Sequence, residues 1–173
     1  MMKLKALIAA TTLALGFASG TKAQGFADCA ATGNASFDGT VVDAAIATPE
    51  LSTLVNAVVA AGLADALATT DNITVFAPTN DAFAALPEPV LNAVLASPDL
   101  LSAVLTYHVV PTTNADPRKY FTVSRRPTLQ GQNVYFAWSD GAARVNNAAV
   151  TCQGVEVDNG VVYLIDSVLL PNL

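Results

Sequence analysis

The apolar residues of this chain change their period partway along it, and that switch constrains the fold more than any other feature. After Thr48-Pro49, a cap followed by a first-turn proline, the residues Leu51, Leu54, Val55, Val58, Val59, Gly62 and Leu63 recur as on one helical face. Residues 72–77 (NITVFA) are rich in β-branched and aromatic side chains and stop at Pro78, which predicts a strand. Short helices are expected around Phe83 and Leu86, over residues 87–96 with Val90, Leu91, Val94 and Leu95 inward, and after the Ser97-Pro98-Asp99 cap. That last helix buries Leu101, Val104, Leu105 and His108, and Val109-Val110-Pro111 then switches to extended chain. From Phe121 onward the period is two, with turn signals at Gly131, Asp140-Gly141, Asn146-Asn147, Gly154 and Asn159-Gly160. The chain thus divides into a helical half and a half of antiparallel strands, with Asn159-Gly160 its strongest hairpin signal.

The first residues carry a different message. Lys3 and Lys5, an apolar run over residues 6–18 and a small, polar stretch over residues 19–24 make the three parts of a secretory leader. The run is short of the roughly 20 residues a spanning helix needs. Thr21 and Ala23 are small where signal peptidase requires it, so cleavage is expected after Ala23. Residues 24–36 then form an N-terminal segment and residues 37–171 one folded domain, secreted or periplasmic and monomeric, with no membrane-spanning segment after cleavage.

Losing residues 1–23 removes Lys3, Lys5 and Lys22 and no acid, so five basic residues face fourteen acidic ones, a net charge of −9. Nucleic acid is excluded as a partner, because binding it requires clustered cations. The two cysteines, Cys29 and Cys152, lie at opposite ends of a chain bound for an oxidising compartment, which favours a disulfide. Closing that loop would contribute roughly 4 to 5 kcal/mol on the chain-entropy account. Two free thiols or a metal pair are the alternatives, although no His or Cys neighbours either one at a ligand spacing.

Three stretches together resemble the fasciclin domain family: residues 74–83 (TVFAPTNDAF), residues 105–111 (LTYHVVP) and residues 159–171 (NGVVYLIDSVLLP). Their order and spacing match the family, and the resemblance covers residues 37–171. The cysteine just after the leader and the one in the Ala-Val-Thr-Cys-Gln-Gly stretch are similar to those of secreted single-domain bacterial members, including the major secreted antigens of mycobacteria. That likeness supports the disulfide. The resemblance implies a compact α+β fold, a β-wedge of mainly antiparallel strands with helices packed against it. It also implies an extracellular protein of cell adhesion or matrix contact, without catalytic activity. One departure is Tyr163, where the family's closing block usually carries a histidine.

Several residues are candidates for the contact. Tyr107 and His108 pair an aromatic with a switchable donor at a helix-to-strand junction, but His108 shares its face with Val104 and Leu105, which favours a buried, hydrogen-bonded role. Thr79, Asn80 and Asp81 follow a strand end, where capping chemistry accounts for them. Arg118, Lys119, Arg125 and Arg126 fall within nine positions, with Tyr120 and Phe121 between them. They read either as a patch for anionic polysaccharide, lipid head groups or carboxylates, or as a solvated strand edge. Val134, Phe136 and Trp138 share a strand face better suited to the core than to sugar stacking.

An enzyme needs more than this. His108 is the one histidine, and no Gly-x-Ser-x-Gly elbow, His-Glu-x-x-His motif or phosphate-cradling glycine loop is present. No cofactor is expected. The expected function is therefore contact with a surface or matrix protein or polysaccharide. An envelope structural protein without a dedicated ligand, and a carrier of a small apolar ligand between helices and sheet, are the alternatives.

Overall fold

In a computed structural model of the protein, residues 31–119 and 124–172 are described; the leader, Cys29, Tyr120 and Phe121 lie outside them. Strand β1 (Ala35–Ser36) precedes helix α1 (Val41–Ala47), which opens on a capping box between Thr40 and Asp43. A 3-10 turn (Pro49–Leu51) leads into α2 (Ser52–Ala60), followed by α3 (Ala64–Thr69) and β2 (Ile73–Pro78). Helices α4 (Asn80–Ala84), α5 (Glu88–Ala96) and α6 (Pro98–Tyr107) come next, then β3 (Val109–Val110) and a second 3-10 turn (Pro117–Lys119). The remaining elements are β4 (Ser124–Pro127), β5 (Asn133–Ser139), β6 (Ala142–Val145), β7 (Ala148–Ala149), β8 (Val155–Val157) and β9 (Gly160–Ile165).

The strands form two sheets, one in the order β1-β8-β9-β2-β3 and one in the order β4-β5-β6-β7. The second is an antiparallel meander. The first is mixed, because β2 runs parallel to β9 and β1 parallel to β8. The fold is α+β, and the parallel centre of its first sheet is the feature that local periodicity did not reveal. No single helix among the described residues is long and apolar enough to cross a membrane.

Alternation along the central strands divides the core in two. Ile73 and Ala77 of β2 and Val162 of β9 face the helices, packing with Leu51, Leu54 and Leu105. Phe76 of β2 and Val161, Tyr163 and Ile165 of β9 face the second sheet, packing with Val134, Phe136 and Val145. Trp138 packs partly buried against that second cluster.

Two expected core positions face water instead. Val59 is 63% exposed and Leu95 50%, because α2 buries Leu54, Ala57 and Val58 in the helix-side core and the peripheral α5 buries Val94 alone. Thr48 does not cap the following helix; its hydroxyl donates to the Ala44 carbonyl at 2.8 Å and closes α1 instead.

The expected hairpin at Asn159-Gly160 also differs in register. Val157 pairs with Gly160, so the turn residues are Asp158 and Asn159, and the type I′ signature of two positive φ values belongs to Asp140-Gly141. Gly160 is required for another reason: a Cβ there would stand 2.1 Å from the Ile73 carbonyl oxygen of the neighbouring strand. Gly160→Ala should therefore part β2 from β9 and cost about 2 to 3 kcal/mol or more, measured by urea unfolding. Asn159 has work of its own. Its Oδ1 accepts from the Val41 N–H at the start of α1, and its Nδ2 donates to the Leu67 and Thr70 carbonyls at the end of α3.

Candidate functional site

The residues with the most chemistry to offer are held inside the fold. His108 ends α6 at 2% exposure, with its Nδ1 2.7 Å from the Val104 carbonyl oxygen. The Leu169 N–H donates to Nε2 at 2.9 Å, so Nε2 is the acceptor and Nδ1 carries the proton. Burial lowers the imidazole pKa to about 4, against the Val104 carbonyl, which favours the proton. Tyr107 is 5% exposed; its hydroxyl donates to the Asn133 carbonyl at 3.1 Å and accepts from Asn146 Nδ2 at 3.0 Å. The pair thus fastens α6 to the C-terminal segment through one residue and to the second sheet through the other.

Arg118 is equally enclosed, at 4% exposure, and does not belong to an exposed cationic patch. Asp116 turns back on itself to accept from the Arg118 backbone N–H and pairs with the guanidinium through both oxygens, Nε at 2.8 Å and Nη2 at 2.6 Å. The remaining nitrogen, Nη1, donates to the carbonyls of Thr32 and Cys152. The guanidinium lies 5.4 Å from the Tyr163 ring centroid, and that ring stacks in turn on Phe76. Burial alone would raise the Asp116 carboxyl, but hydrogen bonds and charge from Arg118 outweigh it and hold the group below the usual carboxylate range. Burial pushes the Tyr163 phenol up to about 12.

The other candidates lie elsewhere. Thr79 accepts from the Ala82 N–H at the start of α4. Asn80 reaches across to α2, where its Oδ1 accepts from the Thr53 N–H at 2.9 Å and its Nδ2 donates to the Pro49 carbonyl. Asp81 is exposed in the first turn of α4. Lys119 is 68% exposed, 3.6 Å from Asp116. Arg125 and Arg126 stand on β4 at an edge of the second sheet, Arg125 exposed and Arg126 half-buried with bonds to Ser124 Oγ and the Arg125 carbonyl. Arg125 is directly opposite Tyr135, which is 48% exposed.

Asp116 and Asn159 were not singled out as candidates, and Tyr163 drew notice only as a departure from the family. A signal for two of them was present: Asp116-Pro117-Arg118 is a side-chain-to-backbone turn, and Tyr163 follows Val161 in the period of a buried strand face.

Among the described residues no cysteine is free. Cys152 packs half-buried against the inter-sheet core, while Cys29 lies outside the described residues. We propose the Cys29–Cys152 bond: peptide mapping should find the two joined without reductant, and a free thiol at either would contradict it.

The chain belongs to the fasciclin domain family, whose model matches residues 49–171. It is 40% identical over 182 residues to Protein sll1483 of Synechocystis sp. (strain PCC 6803), covering 98% of this chain and 99% of that one. To the cell surface glycolipoprotein MPB83 of Mycobacterium bovis it is 41% identical over 98 residues, covering 57% of this chain and 43% of the relative. A solved FAS1 domain pair from the insect cell adhesion molecule fasciclin I is similar over 69% of this chain and 45% of its own, with a TM-score of 0.46 and 19% identity.

Proposed function

We propose that the chain is an extracytoplasmic, non-enzymatic contact module, exported behind a leader cut after Ala23 and acting in adhesion to a surface or matrix polymer. The observation that carries this reading is Arg125: an exposed guanidinium on an edge strand, directly opposite an exposed tyrosine, on a chain otherwise dominated by acids. A guanidinium grips carboxylate or sulfate through two parallel hydrogen bonds, and a neighbouring ring offers a flat apolar contact. Membership of the fasciclin family and the surface-located relative support the same reading. Carriage of an apolar ligand is the weaker reading, because the apolar cleft beneath α1 and α2 measures about 40 Å³ where ligand sites take roughly 300 Å³ or more.

The test is retention of envelope or matrix polysaccharide by the immobilised protein. Arg125→Glu with Arg126→Glu should weaken retention about tenfold or more, and added salt should weaken the wild type in the same direction. Retention indifferent to both would contradict the assignment.

A further inference from the structure

The second sheet turns one face to the inter-sheet core and the other to water, and its strands are free of acids on an acidic protein. None of β4 to β7 carries an Asp or Glu, although the chain has fourteen of them. Val134, Phe136, Ala143 and Val145 are buried in the core, so strand alternation turns Arg125, Tyr135, Ala137 and Arg144 to the outer face.

Arg144 gives this face a second cation. Arg125 lies opposite Tyr135, and Arg144 lies opposite Ala137, two residues further along β5. Two strand spacings across and two residues along put the arginine α-carbons roughly 12 Å apart, with the Tyr135 strand between them. The Arg144 side chain is held in place, since its Nη1 donates to the Asn147 carbonyl at 2.9 Å and its Nη2 pairs with Asp140 at 3.4 Å. Each terminal nitrogen keeps a second N–H for another acceptor. The Asp140 side chain is 79% exposed in the β5–β6 turn, so this ion pair is weak and competes little with an incoming anion.

Charge and shape together decide the class of ligand. Two separated guanidinia suit two anionic groups of one chain, and strands without acids raise no repulsion between them. An extended acidic peptide is the poorer occupant. Strands β5 and β6 already pair with a neighbour on each side, so their backbone offers a peptide lying across the face nothing to pair with. An anionic membrane draws on many cations, and this chain is negative overall. A sugar chain keeps its hydroxyls in water and lays an apolar ring face on the exposed tyrosine. We propose that the outer face of β4, β5 and β6 binds a linear polysaccharide with spaced acidic groups, Arg125 and Arg144 each gripping one acid and Tyr135 packing against the sugar between. This deepens the surface reading and rests on it, with Arg144 as the second anchor.

The test is amide NMR of the purified chain titrated with a hexasaccharide in which glucuronate alternates with neutral N-acetylglucosamine, and with the corresponding disaccharide. The hexasaccharide should shift the amides of Tyr135, Ala137 and Arg144. Arg125→Ala and Arg144→Ala should each weaken it about tenfold. The disaccharide has a single acid, which either arginine can hold, so each change should weaken it no more than about twofold. Ala137→Glu keeps both arginines but sets a carboxylate between them, and should weaken the hexasaccharide about tenfold as well while the core amides stay in place. Binding that needs Arg125 but ignores both Arg144→Ala and Ala137→Glu would overturn this inference and leave the surface reading standing, whereas binding indifferent to all three changes would overturn both. Tighter binding of hexaglutamate or of phosphatidylserine vesicles than of the hexasaccharide would overturn the choice of polysaccharide.

Discussion

Replacing Arg118 with alanine is expected to lower the unfolding free energy by about 3 to 5 kcal/mol, the usual cost of removing one partner from a buried ion pair. The loss has three sources. Asp116 would be left charged at 7% exposure, the carbonyls of Thr32 and Cys152 would lose their shared donor, and the Tyr163 ring would lose its cover. For a domain of this size the change corresponds to a fall in Tm of roughly 10 °C. Arg118→Lys should recover little, since an ammonium cannot reproduce a fork that meets two carboxylate oxygens and two carbonyls. Pairing Arg118→Met with Asp116→Asn should recover part of the loss, because no uncompensated charge remains. Arg125→Ala, on the exposed strand edge, should change stability by no more than about 0.5 kcal/mol.

A second large effect belongs to pH. In the unfolded chain the His108 imidazole takes up a proton near pH 6.5, whereas the folded chain resists it until about pH 4. Between those values the unfolded state binds more protons, so stability falls as pH drops through this window, by up to roughly 3 kcal/mol in all. Above pH 6.5 the contribution is fully present. Carboxylates held low in the folded state, Asp116 among them, add their own loss only below about pH 4. His108→Ala should lower stability at neutral pH and flatten the dependence between pH 6.5 and 4, and the flattening separates a titrating histidine from a merely filled cavity. Urea unfolding at closely spaced pH values reads both effects.

These two residues also mark how far the sequence could be read. The helical placement of His108 beside Val104 and Leu105 predicted a buried ring, since three residues at helical spacing must share a face. Its second partner, the Leu169 N–H, lies 61 positions away, and no local pattern announces such a bond. Arg118 was misplaced for a related reason. Proximity in sequence grouped it with Lys119, Arg125 and Arg126, yet Asp116 two positions earlier draws its guanidinium inward while β4 carries the later arginines to an edge.

Strand existence was legible from β-branched alternation, but the parallel pairing of β2 with β9 joins residues 87 positions apart, as Ile73 with Gly160, and leaves no local trace. The short helices α1 and α3 were missed because neither is long enough to show a periodic face. Their ends are tied instead by Asn159, read from sequence only as a turn residue.

On the function proposed above, the tyrosine-histidine pair maintains the fold while exposed residues make the contact. The most direct measurement compares retention of envelope or matrix polysaccharide by wild type, Tyr107→Phe, and Arg125→Glu with Arg126→Glu, at a temperature where all three are folded. Tyr107→Phe should melt lower, having left Asn133 and Asn146 without their hydroxyl, yet retain polysaccharide as wild type does, while the folded arginine variant should retain little. Loss of retention in folded Tyr107→Phe, with the arginine variant unaffected, would contradict it.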